Sequence, residues 1–364
     1  MQTQITIVGG GILGLSIGWG LARVGQQVVV VDEGDLAFRA SRGNFGLVWV
    51  QGKGYGMHQY AKWTRQSATL WPQLVQELEQ TTGVPLEYSQ KGGVDFCLSD
   101  TEAEKRMGVL NDIRAGLDGD YPFEYLDHTQ LKKLIPEIGP TVTGATWTDM
   151  DGHVNPLYLL RALYNGFIAN GGTVISNQTI KQIDNTASGF TINAGTTIES
   201  EKVVLCAGLG NKALGPQVGL EVPVEPNRGH IMVCERAAPF MTYPSVQLRQ
   251  VGEGVVQIGD SKEDVGLNDN TSTDVLANIA RRAIKIYPLL ANLRTVRSWA
   301  ALRVMSPDGF PIYQQSSSQP GAFVVTCHSG ITLAAAHAFV LSQWIANGVT
   351  PDNMESFSAD RFSV

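Results

Sequence analysis

An α/β fold organised round a nucleotide-binding unit is predicted by three features at the start of the chain. Ile5-Thr6-Ile7-Val8 is apolar and β-branched, as a buried strand requires. Gly9-Gly10-Gly11-Ile12-Leu13-Gly14 comes next and sets Gly9, Gly11 and Gly14 in G-x-G-x-x-G register. A second apolar run, residues 27–31, ends on Asp32, and residues 15–24 between the two are patterned as a helix. Strand, glycine turn, helix, strand and terminal carboxylate together describe a Rossmann-type βαβ unit.

Each part has a physical role. Gly9 permits the tight turn, Gly11 lets backbone approach a pyrophosphate, and Gly14 lets the helix pack closely on the strand. The helix N-terminus offers free N–H groups and the positive end of a dipole to phosphate, and Ile12 and Leu13 before it are candidate cofactor contacts. Asp32, with Glu33 beside it, can accept hydrogen bonds from ribose hydroxyls and repels a 2′-phosphate.

A chain of 364 residues is long enough for about two domains. Hydrophobic residues make up 43% and charged residues 17%, an ordinary balance for a globular protein, and the net charge of −7 argues against a nucleic-acid or anionic-membrane surface. The first strand starts within five residues of Met1, so no secretory signal is expected. Residues 323–346 are apolar but interrupted by His328, Ser329, Gly330 and His337; a strand, a loop and a buried helix are expected there, with no transmembrane segment. Cys97, Cys206, Cys234 and Cys327 show no C-x-x-C spacing, so neither a metal site nor a redox dithiol is expected. Buried single thiols in a reducing cytoplasm fit this usage.

The remaining elements alternate in texture. Residues 57–82 have a long helical pattern, 93–98 a strand, and a polar helix comes after Ser99. Asn155-Pro156 reads as a cap and first turn of a helix reaching Ala169. Short strands are expected at 173–175, 179–183, 190–192 and 197–198. Residues 202–208 read as a buried strand ending in Ala207-Gly208, 219–299 as mostly strand with one helix at 275–286, and 330–332 as the start of a closing helix. The interleaving suggests a nucleotide-binding domain of residues 1–90, 155–215 and 300–364, and an α+β substrate domain of 91–154 and 216–299 built on an antiparallel sheet.

This order resembles the flavin-dependent amine and amino-acid oxidoreductases of the D-amino-acid oxidase, glycine oxidase and sarcosine oxidase superfamily. The resemblance runs the length of the chain. It rests on the glycine fingerprint and Asp32, on Ala40-Ser41-Arg42-Gly43-Asn44, on Leu205-Cys206-Ala207-Gly208, on residues 258–266, and on Cys327-His328-Ser329-Gly330-Ile331-Thr332. It implies extended, noncovalently bound FAD; the site of covalent attachment in some sarcosine oxidases corresponds here to Ala301. The run from Arg39 to Gly54 is similar to β subunits of heteromeric dehydrogenases that act on opines or D-hydroxyproline. That closer likeness implies partner subunits carrying flavin or iron–sulfur centres, with an additional FMN at a subunit contact as one arrangement, and electron transfer that places the protein at the inner membrane's periphery.

The resemblance also marks site residues. Ser41, Arg42, Gly43, Asn44, Gly46 and Leu47 lie on the loop that returns across the cofactor, where Ser41 and Arg42 can donate to pyrophosphate. A loop held by its own Asx or serine turn is the competing reading. Ile180 falls where main-chain groups hold adenine. Arg303 matches the arginine that grips a substrate carboxylate over the flavin; the alternative is an ion pair with Asp308. Gly330, Ile331 and Thr332 can stabilise charge at the flavin edge, and His328 is a candidate catalytic residue there or a structural hydrogen-bonder. Gln257 stands where monomeric sarcosine oxidases place an oxygen-activating lysine, which favours a dehydrogenase. Lys53, between Gly52 and Gly54, is either a loop charge or a group approaching the flavin or an acceptor cofactor. The function expected is FAD-dependent oxidation of the Cα–N bond of an amino acid or opine-type N-substituted amino acid. The alternatives are a stand-alone oxidase of glycine, sarcosine or D-amino acids that releases hydrogen peroxide, and a non-catalytic flavoprotein relay.

Overall fold

Four parallel strands sit at the centre of the molecule, and their carboxyl ends finish level. The computed structural model describes residues 1–34 and 40–363; Arg39, at the start of the opine-type run, lies outside them. Gln2–Val8 lies between Thr197–Leu205 and Val28–Val31, and Thr173–Ile175 extends the sheet beyond Val28–Val31. Val8 is in register with both Leu205 and Val31. Ala322–Thr326 adds a parallel strand beside Thr197–Leu205, and Ile312–Gln315 pairs antiparallel at the edge. Gly189–Asn193 and Ile183–Thr186 continue antiparallel from the first half of Thr197–Leu205. The level ends bring Gly9, Asp32, Ala207-Gly208 and Cys327 to one rim, the position at which open α/β sheets bind ligands.

Helices Ile12–Ala22, His58–Thr82 and Pro156–Ala169, with the closing helical segment, cover one face of this sheet. Their interface is apolar and includes buried Trp19, Trp71, Leu163 and Phe167. Ile12–Ala22 is buried almost all round, which explains its lack of a polar face. A Cβ at Gly20 would run into the Ala338 carbonyl oxygen, so the two helix backbones touch there. The closing segment opens into a π-turn at His337–Leu341 at this crossing, and Ser342 Oγ donates to Ala338 O at 2.6 Å.

A second, antiparallel sheet runs in the order Leu248–Gln250, Val255–Ile258, Glu225–Arg236, Thr295–Met305. A smaller one combines Gly93–Cys97, Gly144–Thr148 and Glu124–Asp127. Both pack with helix Thr273–Ile286 round a separate core containing Phe96, Leu248, Ile258 and Tyr287. Leu47–Val48 pairs with Gly152–His153. No helix among the described residues is long and apolar enough to cross a membrane.

Four local expectations shift. The first helix begins at Ile12 rather than residue 15, because extended Gly11 serves as its N-cap and Ser41 Oγ accepts from Ile12 N at 3.0 Å. Residues 179–183 are not a strand. Gln178 N–H is drawn to the Asp32 carbonyl at 2.9 Å after a left-handed Asn177, and regular pairing starts only at Ile183. The runs at 197–198 and 202–208 belong to one strand, Thr197–Leu205. Gly330-Ile331-Thr332 forms a turn, and the closing helix starts after it, at Ala334.

Gly20→Ala places a methyl group against backbone that cannot retreat without separating two buried helices. We expect a loss of about 1–3 kcal/mol, read as a lowered denaturation midpoint with an unchanged m value.

Candidate active site

The βαβ turn is built from bare backbone. Gly9 has φ +111°, and a Cβ there would strike the Cys206 carbonyl, while one on Gly14 would strike the Gly9 carbonyl. Gly11 offers no side chain of its own to cap the helix, and a Cβ added there would lie 2.8 Å from Ser41 Oγ, which accepts from Ile12 N instead. Asp32 accepts from Gly10 N at 2.6 Å and Gly34 N at 2.9 Å. Each carboxylate oxygen retains a further lone pair for a hydroxyl donor. Glu33 comes next in the chain and is exposed, Arg42 is exposed beyond Ser41, and Ile180 is nearly buried on the stretch that Gln178 ties to Asp32. Ala207 N–H donates to Asn211 Oδ1 at 2.9 Å, and Gly208 turns the chain away in a left-handed conformation.

The loop after Ser41 crosses from this turn to the second sheet. Asn44 Oδ1 accepts from Gly46 N at 2.8 Å, an Asx turn, and Leu47 pairs with His153. Thr332 fastens the loop to the closing turn: its Oγ1 donates to Leu47 O at 3.3 Å and accepts from Trp49 N at 3.1 Å. Ser67 Oγ and Trp71 Nε1 in turn donate to the Thr332 carbonyl at 2.7 and 3.0 Å. Gly330 abuts Leu13 of the first helix, and Ile331 is buried. The closing turn therefore joins the nucleotide end of the site to its deeper end.

That deeper end is a cavity of about 310 Å³ between the two sheets. Gly43, Asn44, Leu47, Arg303, His328, Ile331 and Thr332, all expected from sequence, line it. The Arg303 guanidinium crosses over Gly229 of the neighbouring strand, where any Cβ would collide with it, and its Nη1 donates to Asn227 Oδ1 at 3.1 Å. The alternative pairing with Asp308 does not occur, since Asp308 is bound by Arg361 at 2.8 Å. Burial lowers the Arg303 pKa, opposed by Asp260, and a guanidinium so placed stays charged.

Ser329 Oγ collects three groups: Lys53 Nζ donates to it at 2.7 Å, Tyr60 OH donates at 2.8 Å, and His328 Nδ1 lies at 3.0 Å. With two donors already pointing at the oxygen, its own proton goes to Nδ1, leaving the His328 proton on Nε2. Lys53, then burial, Arg303 and Lys262 hold the His328 pKa well below its ordinary value, so the ring is neutral. Lys53 itself is pushed down to about 8 by burial and by Lys262. Its loop is fixed by left-handed Gly52 and Gly54 and by buried Asp151, which accepts from Val50 N at 2.5 Å and Gln51 Nε2 at 2.7 Å. Lys53 thus reaches the cavity instead of remaining a solvated loop charge.

Asp260 and Lys262 also line the cavity and were not singled out by sequence reasoning. The only sequence signal was their place in the run 258–266. Their loop is clamped to strand Glu225–Arg236. Arg228 holds Glu263 through two bonds, Nε to Oε2 at 3.0 Å and Nη2 to Oε1 at 3.1 Å, and also binds Asn270 O at 2.8 Å. Gln257 points elsewhere, accepting from buried Arg249 Nε at 2.7 Å.

A bare-backbone glycine turn at the carboxyl rim of a parallel sheet, with a cavity walled by the loops that pack against it, is the arrangement of a dinucleotide-binding protein. The profile of the FAD dependent oxidoreductase family (DAO) matches residues 4–344, and the chain belongs to that family. It is 41% identical over 363 residues to an opine oxidase subunit of Rhizobium meliloti, covering 99% of this chain and 98% of that one. Identity to the corresponding opine oxidase subunit of Agrobacterium tumefaciens (strain Ach5) is 42% at the same coverage. The fold matches crystalline glycine oxidase from Geobacillus kaustophilus with a TM-score of 0.91, at 23% identity and 98% coverage of both chains. FAD, the family's cofactor, fits the residues present: Gly9, Gly11 and Gly14 leave the turn as bare backbone that can receive phosphates, and the loop of Gly43 and Asn44 lines the cavity.

The Arg228–Glu263 clamp has a pH signature. The two-point bond from Arg228 holds the Glu263 carboxyl below the usual glutamate range. Its stabilisation is therefore complete above the unfolded-state pKa and disappears as pH falls through the lowered one. The thermal midpoint of the wild type should fall over this acid window, and Glu263→Gln should flatten that part of the curve while lowering the midpoint at pH 7.

Proposed function

We propose that this chain is the FAD-binding, amino-acid-oxidising subunit of a heteromeric dehydrogenase, and that it acts on opines or D-hydroxyproline by hydride loss from Cα. The observation that carries the reading is Arg303, seated over Gly229 in a cavity whose walls include the loop and the closing turn that contact the first helix. A guanidinium there takes the α-carboxylate in two parallel bonds and fixes the direction of the Cα–H. FAD supplies the two-electron acceptor. Neutral His328 and the Thr332 staple shape the wall.

Opines are supported over smaller amino acids by two further cations, Lys53 and Lys262, in the same cavity. Lys53, Lys262 and Arg303 outnumber Asp260 among the charged side chains lining the cavity, and the second carboxylate of an opine offsets more of that excess than a monocarboxylate does. The relatives named as opine oxidase subunits support the same substrate class and a partner subunit. Electrons then leave through partner flavin, FMN or iron–sulfur centres to a quinone or similar acceptor. Gln257, neutral and held by Arg249, supports a dehydrogenase. The stand-alone peroxide-forming oxidase is favoured instead by the cations Lys53 and Lys262, which can assist oxygen reduction electrostatically.

Anaerobic addition of octopine, nopaline, D-hydroxyproline, L-proline, glycine and sarcosine to the purified flavoprotein tests the reading. We expect octopine, nopaline or D-hydroxyproline to bleach the flavin band, with slow recovery in air and fast recovery with a dye acceptor. Fast recovery in air with peroxide release identifies the oxidase, and no bleaching by any of them defeats the catalytic assignment. Arg303→Met should raise the dissociation constant of the reducing substrate by about 100-fold while leaving the bound flavin in place.

A further inference from the structure

Oxidation at Cα requires a neutral nitrogen, whereas amino acids and opines arrive in water with that nitrogen protonated. That proton must leave, to solvent or to a group in the cavity, before the hydride does. Among the described residues lining it, the charged side chains are Lys53, Lys262, Arg303 and Asp260, and His328 hydrogen-bonds through Nδ1 to Ser329. Three are cations, so Asp260 is the anion available to meet an ammonium.

Its backbone is unusual. Asp260 has φ +78°, a left-handed conformation uncommon for residues with a side chain, at the end of strand Val255–Ile258. That conformation turns the chain into the clamped loop and leaves the carboxylate opening onto the cavity, on the same wall system as Arg303. Its direct donor among the described residues is weak: Gln247 Nε2 stands 3.5 Å from Oδ2, and 3.4 Å from Asp95 Oδ1. Asp260 is exposed, so its carboxylate keeps most of its accepting capacity open to a ligand donor entering the cavity.

We propose that Asp260 is the proton acceptor for the substrate nitrogen. One N–H bond of the bound ammonium breaks and one O–H bond forms on Asp260; the lone pair stays on nitrogen, and the Cα hydride then leaves to FAD. This inference rests on the amino-acid-oxidising reading of the site. The groups facing Asp260 are Lys262 on its own loop, Arg303 on strand Thr295–Met305, Asp95 on strand Gly93–Cys97 and Arg282 on helix Thr273–Ile286. Desolvation by the surrounding protein and the Asp95 charge outweigh the cations and raise its pKa above the ordinary aspartate value, which strengthens it as a base.

The test uses the FAD-loaded protein and a matched pair of ligands that cannot be oxidised. 2-Aminoisobutyrate has no Cα–H, and pivalate replaces its ammonium with a methyl group; binding of each is followed through the flavin spectrum. Asp260→Asn retains size and suits a left-handed backbone, and Asp260→Gly, which also suits it, is the second variant. We expect both variants to reduce the preference for 2-aminoisobutyrate over pivalate by about tenfold or more. Reduction of the flavin by octopine should, in Asp260→Asn, shift its acid limb upward by about one pH unit or more, because the proton must then leave to solvent. An unchanged ligand preference together with an unchanged pH profile overturns the proposal. Wild-type protein that binds neither ligand and is bleached by none of octopine, nopaline, D-hydroxyproline, L-proline, glycine and sarcosine overturns the amino-acid-oxidising reading itself, and Asp260 as base with it. Binding of both ligands with an unmoved preference leaves that reading standing and removes only Asp260.

Discussion

The close approach of Gly9 to Cys206 is the constraint from which the rest of the molecule is arranged. Cys206 N–H donates to the Val8 carbonyl at 2.8 Å, and the Gly9 backbone lies where any side chain would strike Cys206 O. Two parallel strands thereby end together, leaving the next residues free to turn away from the sheet. One turn feeds a buried helix whose start is open, and the other, through Ala207-Gly208, clears the same rim. Had either strand run one residue longer, its side chain would have filled the space that a nucleotide needs.

From that rim the structure is connected by a few polar contacts across an apolar interior. Thr332 ties the loop of Leu47 and Trp49 to helix His58–Thr82, and Ser41 ties the same loop to the first helix. Each is a hydroxyl or carbonyl that reaches across two elements, so the loop is held without a large interface of its own. The second sheet contributes differently. Its strand Glu225–Arg236 lacks a side chain at Gly229 so that Arg303 can cross it, and uses Arg228 to hold the loop of residues 260–270. Tolerance for bulky guanidinium groups along one strand is what gives the cavity its charged wall.

Much of this was legible in the sequence, for definite reasons. The βαβ unit is local: its glycines, apolar runs and Asp32 lie within about thirty residues, and spacing alone encodes their geometry. Arg303 and the closing turn were legible through resemblance. The start of the first helix was misjudged because a glycine N-cap leaves no polar signature, and the closing helix because Gly330 to Thr332 looks helical until Thr332 is spent on tertiary contacts. Asp260, Lys262 and Lys53 were harder. They meet only through the pairing of distant strands and through left-handed turns, and a left-handed aspartate has no sequence pattern of its own.

Cys327 stands on the cavity wall beside Lys53 and His328. Burial pushes its thiol up to about 12, against the pull of the Ser329 backbone and the Lys53 charge. At neutral pH the sulfur is therefore almost entirely protonated, and the thiol form reacts slowly with electrophiles and peroxides. The cavity wall thus holds a partly accessible sulfur whose surroundings favour the less nucleophilic thiol form over the thiolate.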